Sequence, residues 1–408
     1  MEFEVAQLDN GIKIIHQQTF STNIAHIGLM IDVGSRDELD HEHGMAHFIE
    51  HVIFKGTNKR SAKQILSRLD AVGGEINAYT GKEDTVIYAS VLKEHYNRAA
   101  ELISDILVNS TFPEAELNKE KEVIYDEINY YLDTPSEQIF DDFEKQLFED
   151  YSIGRNILGT KEKLDGFNQQ MIKDFIKRNY TTNRMVISSV GPFSFKQAKS
   201  VIERYFSSIP SSTSTRSKQS FAALSKQDLI LKRDVMQSHQ MIGLRAYDQK
   251  HRNKAALTLV SNYLGGPAMN SRFNLEVREK RGFTYNIESN YSPFTDTGIF
   301  SVYFGTDSQN VNATRNIILK ELKKLRSKSI GSRTLHSAKK QLIGQLSLAQ
   351  ENKASLMLAL AKSFLIHDRV DSIEEVVKKI ESISEEQIFE LANELFKEDL
   401  IHSLTYQA

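Results

Sequence analysis

The sequence DTVIYASV at residues 84–91 has the pattern of a β-strand, and DTGIFSVY at residues 296–303 repeats that pattern in the second half of the chain. Three further pairs of segments share helical periodicity and follow in the same order: 94–109 with 310–326, 117–128 with 335–346, and 172–180 with 388–396. The distances along the chain between paired segments differ by only a few residues. We therefore predict that the chain contains two copies of one domain.

The order of elements within the first copy predicts an α+β fold. Apolar alternation around Asp9-Asn10-Gly11 indicates a hairpin, and residues 24–33 form another strand-like run. Helical patterns follow around residues 47–51 and over residues 61–72. Consecutive strands followed by consecutive helices favour a largely antiparallel sheet with helices packed on one face. The predicted fold class is thus two homologous α+β domains.

The boundary between the copies is predicted from a break in composition. Residues 207–217 are rich in serine and threonine, contain one proline and include almost nothing apolar, which is typical of a flexible surface linker. We therefore predict a first domain at 1–208, a linker at 209–220 and a second domain at 221–408.

The composition excludes several classes of protein. With 408 residues, 40% of them hydrophobic, the chain is long enough for two globular domains. It contains no cysteine, which excludes disulfides, thiol catalysis and cysteine-bound metals. It also contains no run of about 18 apolar residues and no standard signal peptide. We therefore expect no membrane insertion and a cytoplasmic location.

The net charge of −3 is unevenly distributed, because residues 1–208 carry −10 and residues 209–408 carry +7. No block of basic residues stands out, so we expect no nucleic-acid partner. The opposite signs are consistent with packing of one half against the other or with attraction of basic peptides. They are equally consistent with ordinary uneven surface charge.

The stretch HGMAHFIEH at residues 43–51 carries the candidate chemistry. On a helix, the side chains of His47, Glu50 and His51 leave the same face. Two imidazoles one turn apart can bind one metal ion, and the glutamate beside them can reach a water molecule at that metal. This arrangement is the inverted zinc motif H-x-x-E-H.

A site with two histidines needs a third protein ligand, which is commonly a carboxylate. The segment LNKEKEVIYDEI at residues 117–128 offers several acids, and Glu120 and Glu127 share one face of a helix. Spacing alone does not choose among the four candidates Glu120, Glu122, Asp126 and Glu127. In the second copy, Ala338 and Gln345 occupy the positions of Glu120 and Glu127, so only the first copy has this acid pair.

These motifs resemble the pitrilysin/insulinase family of zinc peptidases. The similarity rests on HFIEH with the following FKGT at residues 54–57, on GGEINAYT at residues 73–80, on the run 120–127 and on REKRGFTY at residues 278–285. It covers both halves of the chain. The sequence looks most similar to bacterial members of about this length that resemble mitochondrial processing peptidase.

The resemblance implies a complete set of site residues. They are His47, His51 and Glu127 as ligands of one zinc ion per chain, Glu50 as general base, Glu120 as a supporting acid, Arg278 and Tyr285 as contacts to the substrate backbone, and Asn77 and Ala78 on the edge strand that receives the peptide as an added strand.

The resemblance also implies an assembly and an activity. Four domains of this family enclose a chamber, so a chain with two domains is expected to form a homodimer with composite active sites. The implied activity is that of a zinc-dependent endopeptidase acting on peptides, unfolded segments or pro-segments. The alternative is a catalytically inactive scaffold or partner subunit of a peptidase complex. The intact metal set favours the enzyme.

Overall fold

A computed structural model describes residues 3–407, in which strands and helices form two compact units. The strands are β1 (Phe3–Gln7), β2 (Lys13–Gln18), β3 (Ile24–Ile31), β4 (Glu75–Thr80), β5 (Thr85–Leu92), β6 (Met185–Gly191), β7 (Asp228–Lys232), β8 (Ser238–Ala246), β9 (Thr284–Pro293), β10 (Gly298–Thr306) and β11 (His402–Gln407). The helices are α1 (Met45–Val52), α2 (Ala62–Asp70), α3 (Tyr96–Asn109), α4 (Glu114–Leu132), α5 (Pro135–Leu147), α6 (Lys161–Gly166), α7 (Gln169–Asn179), α8 (Phe195–Phe206), α9 (Lys254–Gly265), α10 (Val311–Ser327), α11 (Ser332–Ala349), α12 (Lys353–His367), α13 (Ile373–Glu381) and α14 (Glu385–Leu395).

The two units share one sheet topology, which confirms the predicted α+β class. The first unit has the strand order β1-β2-β6-β3-β5-β4 and the second has β7-β11-β8-β10-β9. Apart from β1, each strand of the first sheet therefore has a counterpart at the same place in the second. Neighbouring strands are antiparallel except for the parallel pairs β2–β6 and β7–β11. The predicted hairpin at Asp9-Asn10-Gly11 joins β1 to β2.

Each unit contains one helix whose residues come from the other half of the sequence. The first unit comprises residues 1–129, 150–216 and 348–373, and the second comprises residues 130–149, 217–347 and 374–408. Helix α5 therefore belongs to the second unit and α12 to the first. The predicted domain ranges 1–208 and 221–408 instead assign α5 to the first domain and α12 to the second.

The exchanged helices cover the sheet face opposite the main helical layer. In the first unit, the main core lies between one face of the sheet and helices that include α1 and α3. On the other face, Met357 and Leu360 of α12 pack against Met30 and Val186. A Cβ added at Gly28 of β3 would lie 2.7 Å from Met357 Sδ, so this glycine makes room for the helix. In the second unit, a Cβ added to Gly243 of β8 would lie 3.0 Å from Phe143 Cε1 of α5.

Part of the predicted flexible linker is fixed to the first unit. The Ser212 hydroxyl accepts a hydrogen bond from Thr182 N, and Asn183 Nδ2 donates to the Ser214 carbonyl. The Arg216 side chain is 8% exposed and forms ion pairs with Asp32 at 2.7 Å and Asp37 at 2.8 Å. The linker segment up to Arg216 therefore has defined hydrogen-bond and ion-pair partners, which its composition does not indicate.

Candidate metal centre

Helix α1, which carries the H-x-x-E-H motif, begins at a tightly constrained turn. Gly44 precedes it with φ = +98°, and a Cβ there would lie 2.7 Å from the Leu158 carbonyl oxygen, so glycine is required. The buried Glu38 carboxylate accepts hydrogen bonds from Gly44 N (2.9 Å) and Ala46 N (2.8 Å). These bonds occupy N–H groups that would be unpaired at a helix start. Glu38 thus fixes the helix from which His47, Glu50 and His51 project.

The structure brings His47 and His51 of α1 together with Glu127 of α4. Glu127 Oε2 lies 3.6 Å from His47 Nε2 and 3.5 Å from His51 Nε2. One ligand atom from each side chain can be chosen so that all three lie within 4.8 Å of one another. Among the described residues this is the one such group of histidine and acidic side chains.

The spacing of these atoms fits a zinc ion. Zinc–ligand bonds of about 2.0–2.2 Å in tetrahedral geometry place neighbouring ligand atoms about 3.4 Å apart. The distances of 3.5 and 3.6 Å match such an edge. The buried His47 Nδ1 has no hydrogen-bond partner among residues 3–407. The Glu127 side chain is 33% exposed, so the cluster is open to solvent on that side.

Changes in pKa favour the metal-binding forms of His47 and Glu127 and the protonated form of His51. Burial, reinforced by the neighbouring His51, lowers the pKa of His47 to about 4, so this imidazole is neutral at pH 7. The hydrogen bond with His51 lowers the pKa of the Glu127 carboxyl. Burial disfavours protonation of His51, but hydrogen bonds to Glu127 and Glu120 outweigh it and raise the pKa. The cluster therefore attracts a cation, and a metal ion would compete with the proton on His51.

Glu120 links the cluster to Lys55, a residue with no role predicted from the sequence. Glu120 Oε2 lies 3.3 Å from His51 Nδ1, and Glu120 Oε1 lies 2.6 Å from Lys55 Nζ. A carboxylate at Nδ1 orients the imidazole and leaves Nε2 directed at the metal position. Lys55 in turn holds the carboxylate in place. Lys55 falls in the FKGT motif at residues 54–57, but its partner can be found only in three dimensions.

The other two acids left open by spacing, Glu122 and Asp126, are exposed on α4. Glu122 provides a control on the same helix for tests of the buried Glu120. We expect Glu120→Gln to weaken zinc affinity by about 10- to 100-fold, because glutamine loses the charge that balances His51 and Lys55. Titration against a chromophoric chelator measures the change, and Glu122→Gln should bind zinc as the native chain does. Equal affinities for the two variants would contradict the role given to Glu120.

Glu50 lies beside the cluster and is absent from its ligand group. Burial raises the pKa of the Glu50 carboxyl, while Thr80 and His51 oppose the rise. Thr80 ends β4, the strand at the edge of the first sheet, on which Asn77 and Ala78 lie. Strand β4 packs against α1, so the edge strand and the helix of the H-x-x-E-H motif are neighbours.

Arg278 and Tyr285 lie together in the second unit. The Arg278 guanidinium stands over the Tyr285 ring, 5.0 Å from its centroid, and the Tyr285 side chain is largely exposed. Both side chains line a cavity of about 330 Å³ together with Gly265 and Gly266. A half-buried guanidinium and an exposed phenol beside a cavity are suited to bind a peptide backbone carbonyl.

Comparisons with known proteins identify the family. The model of the insulinase family (peptidase family M16) matches residues 13–161, and that of the peptidase M16 inactive domain matches residues 166–342. The uncharacterized zinc protease YmxG of Bacillus subtilis is 34% identical over 395 residues, which cover 96% of this chain and 95% of that protein. An uncharacterized zinc protease of Rickettsia bellii is 32% identical, with coverage of 97% and 95%. The chain therefore belongs to the insulinase family, peptidase family M16.

Two solved structures share the fold. A peptidase M16 inactive domain from Pseudomonas fluorescens superposes with a TM-score of 0.93 at 18% identity, covering all of this chain and 98% of that one. A protease from Helicobacter pylori gives a TM-score of 0.91 at 20% identity, covering all of this chain and 99% of that one. Within residues 3–407, no helix combines the length and the apolar character needed to cross a membrane.

Proposed function

We propose that the chain is a zinc-dependent endopeptidase that hydrolyses peptides, unfolded segments or pro-segments in an enclosed chamber. The observation that carries this proposal is the convergence of His47, His51 and Glu127 at zinc spacing, with Glu50 beside them and outside the ligand group. An inactive scaffold would have no need for this set, which supports the enzyme over the alternative of a catalytically inactive partner subunit.

In the proposed reaction, His47, His51 and Glu127 hold the zinc ion. When bound, zinc lowers the pKa of a water molecule towards about 7 and polarises a carbonyl group. Glu50 accepts a proton from the attacking water and passes it to the nitrogen of the leaving amine. The raised pKa of Glu50 suits both steps, because the carboxyl must take up and then release a proton near neutral pH.

The substrate is proposed to bind through its main chain. Strand β4 is an edge strand, so a peptide can pair with it as an added strand along Asn77 and Ala78. Main-chain pairing tolerates varied side chains, which suits a peptidase that accepts many sequences. Arg278 and Tyr285 are proposed to donate hydrogen bonds to the substrate carbonyl or to the developing oxyanion.

The first test concerns the metal. Purified protein is expected to hold one zinc ion per chain, and a chelator should abolish peptide hydrolysis in a way that added zinc reverses. Metal analysis by mass spectrometry and a fluorogenic peptide assay measure the two quantities. Full activity in chelator, with no stoichiometric zinc, would rule out the proposed function.

We further propose that active sites are shared between two copies of the chain. In this arrangement the metal cluster of one copy works with Arg278 and Tyr285 of the other, as expected for a family in which four domains form a chamber. The charges of −10 and +7 on the two halves favour contacts between unlike halves, although salt screens this effect.

Complementation tests the shared site. Glu50→Gln and the double variant Arg278→Ala with Tyr285→Phe should each be inactive alone. After subunit exchange, a mixed dimer has one intact site and one site with both defects, so about half the native activity per mixed dimer is expected if sites are independent. Mixtures that exchange fully and stay inactive would contradict the composite site but would leave the zinc assignment standing.

A further inference from the structure

Strand β7 lies at the edge of the second sheet, whereas its counterpart in the first sheet is not an edge strand. In the first unit, β2 occupies the equivalent position and is covered by β1, which pairs with it in antiparallel register from Phe3↔Gln17 to Gln7↔Lys13. In the second unit, β7 pairs with β11 alone, and no strand of residues 3–407 lies beyond it. The repeat therefore leaves the position of β1 empty in the second unit.

The open edge is apolar, which is unusual for a strand facing water. All five residues of β7 are exposed, and Leu229, Ile230 and Leu231 keep 41%, 65% and 39% of their surface accessible. Proteins generally cover or interrupt such edges, because an exposed strand with apolar side chains pairs with other strands. This surface is therefore suited to bind another strand.

The backbone N–H and C=O groups of β7 point alternately towards β11 and towards the open edge. The Gln227 carbonyl accepts a hydrogen bond from Ser403 N, and Arg233 N donates to the Gln407 carbonyl, so odd-numbered residues face β11. Backbone N–H and C=O of the same residue point the same way in a strand, and the direction alternates along the chain. The N–H and C=O groups of Asp228, Ile230 and Lys232 therefore face the open edge.

The charges around β7 are complementary to those of a second β7. In an antiparallel pair centred on Ile230, each Ile230 lies opposite its own copy, and Asp228 lies opposite Lys232 of the second chain. The same register places Lys226 opposite Asp234. Opposite charges at directly opposed positions stabilise a strand pair. The register also makes 228–232, 230–230 and 232–228 the hydrogen-bonded pairs, as the outward-facing groups require.

We propose that β7 is a self-association edge, at which two copies of the chain pair their second sheets into one continuous sheet. The proposed partner of β7 is the β7 strand of a second copy, because the charged residues on one side of Ile230 have the opposite sign to those at the same distance on the other side. The contact joins the second unit to the second unit, whereas the composite site joins a first unit to a second one. It is thus a separate interface and does not depend on peptidase activity.

Cross-linking tests the register directly, since the chain contains no cysteine. Opposed residues in a hydrogen-bonded pair have Cα atoms about 5.5 Å apart, within the range that a disulfide bridges. Ile230→Cys should therefore form disulfide-linked dimers under mild oxidation. Leu229→Cys is the matched control, because residue 229 lies opposite 231, and the two copies of 229 are about 7–8 Å apart. We expect about tenfold more cross-linked dimer for Ile230→Cys on gels without reductant.

An exchange of charges between residues 226 and 234 is the second test of this register. In the Ile230→Cys background, Asp234→Lys places like charges opposite each other and should lower the cross-linked fraction several-fold. Adding Lys226→Asp restores opposite charges and should restore the yield. Equal cross-linking at 229 and 230, absence of dimer at 230, or no response to the charge exchange would each overturn the proposal. Circular dichroism checks that each variant is folded.

Discussion

Replacement of Glu50 by Gln is expected to lower peptide hydrolysis by about 10²- to 10⁴-fold while zinc stays bound. Glutamine has nearly the same shape as glutamate but cannot accept a proton from water. His47, His51 and Glu127 remain in place, because Glu50 is not among the three side chains that converge at zinc spacing. The variant should therefore separate metal binding from catalysis.

The measurement combines a peptide cleavage assay with the zinc content of the same sample. Near-native turnover by Glu50→Gln would show that Glu50 is not the proton acceptor. Loss of zinc from the variant would show instead that Glu50 is a ligand. Binding of an uncleaved peptide by the variant, followed by fluorescence anisotropy, checks that the substrate site has survived.

Replacement of Glu127 by Gln is expected to remove zinc and activity together. Glu127 supplies a carboxylate oxygen that lies near both imidazoles, at 3.6 and 3.5 Å. An amide oxygen carries no net charge, so two imidazoles and an amide hold zinc far more weakly than the native set. We expect the bound zinc to fall below about a tenth of the chain concentration after dialysis.

Glu122→Gln is the matched control for this experiment. Glu122 lies on α4 like Glu127 but is exposed, and the change removes the same charge from the same helix. The Glu122→Gln variant should keep its bound zinc and its peptidase activity. Zinc at native content in Glu127→Gln would mean that another group completes the site and would contradict the ligand role of Glu127.

Local patterns in the sequence predicted the elements and the chemical motif well. The hairpin at residues 9–11, the strands at 84–91 and 296–303 and the helices after them all form at or near the expected positions. Each depends on periodicity over a few neighbouring residues, which sequence records directly. Spacing placed Glu120 and Glu127 on one helix but did not choose between them, whereas family resemblance selected Glu127. The fold brings Glu127 to both histidines.

Features that depend on distant partners were not predictable. An amphipathic helix such as α5 or α12 shows in its sequence that a face is buried, but not which sheet buries it. Arg216 has no local signal for its ion pairs with Asp32 and Asp37, which lie about 180 positions away in the chain. Composition therefore predicted a linker but not the partners that its residues contact. Lys55 was missed for the same reason, since Glu120 is its partner only after folding.

The exchange of α5 and α12 sets the order of events during synthesis on the ribosome. The sheet of the first unit is complete once β6 has emerged, yet the face that receives Met357 and Leu360 stays uncovered until α12 is made. At about 5–20 residues per second, the roughly 180 residues from the end of β6 to residue 373 take roughly 9–36 s. During that interval a nascent chain exposes an apolar sheet face, so we expect chaperones that act at the ribosome to remain bound until residue 373 has left the exit tunnel.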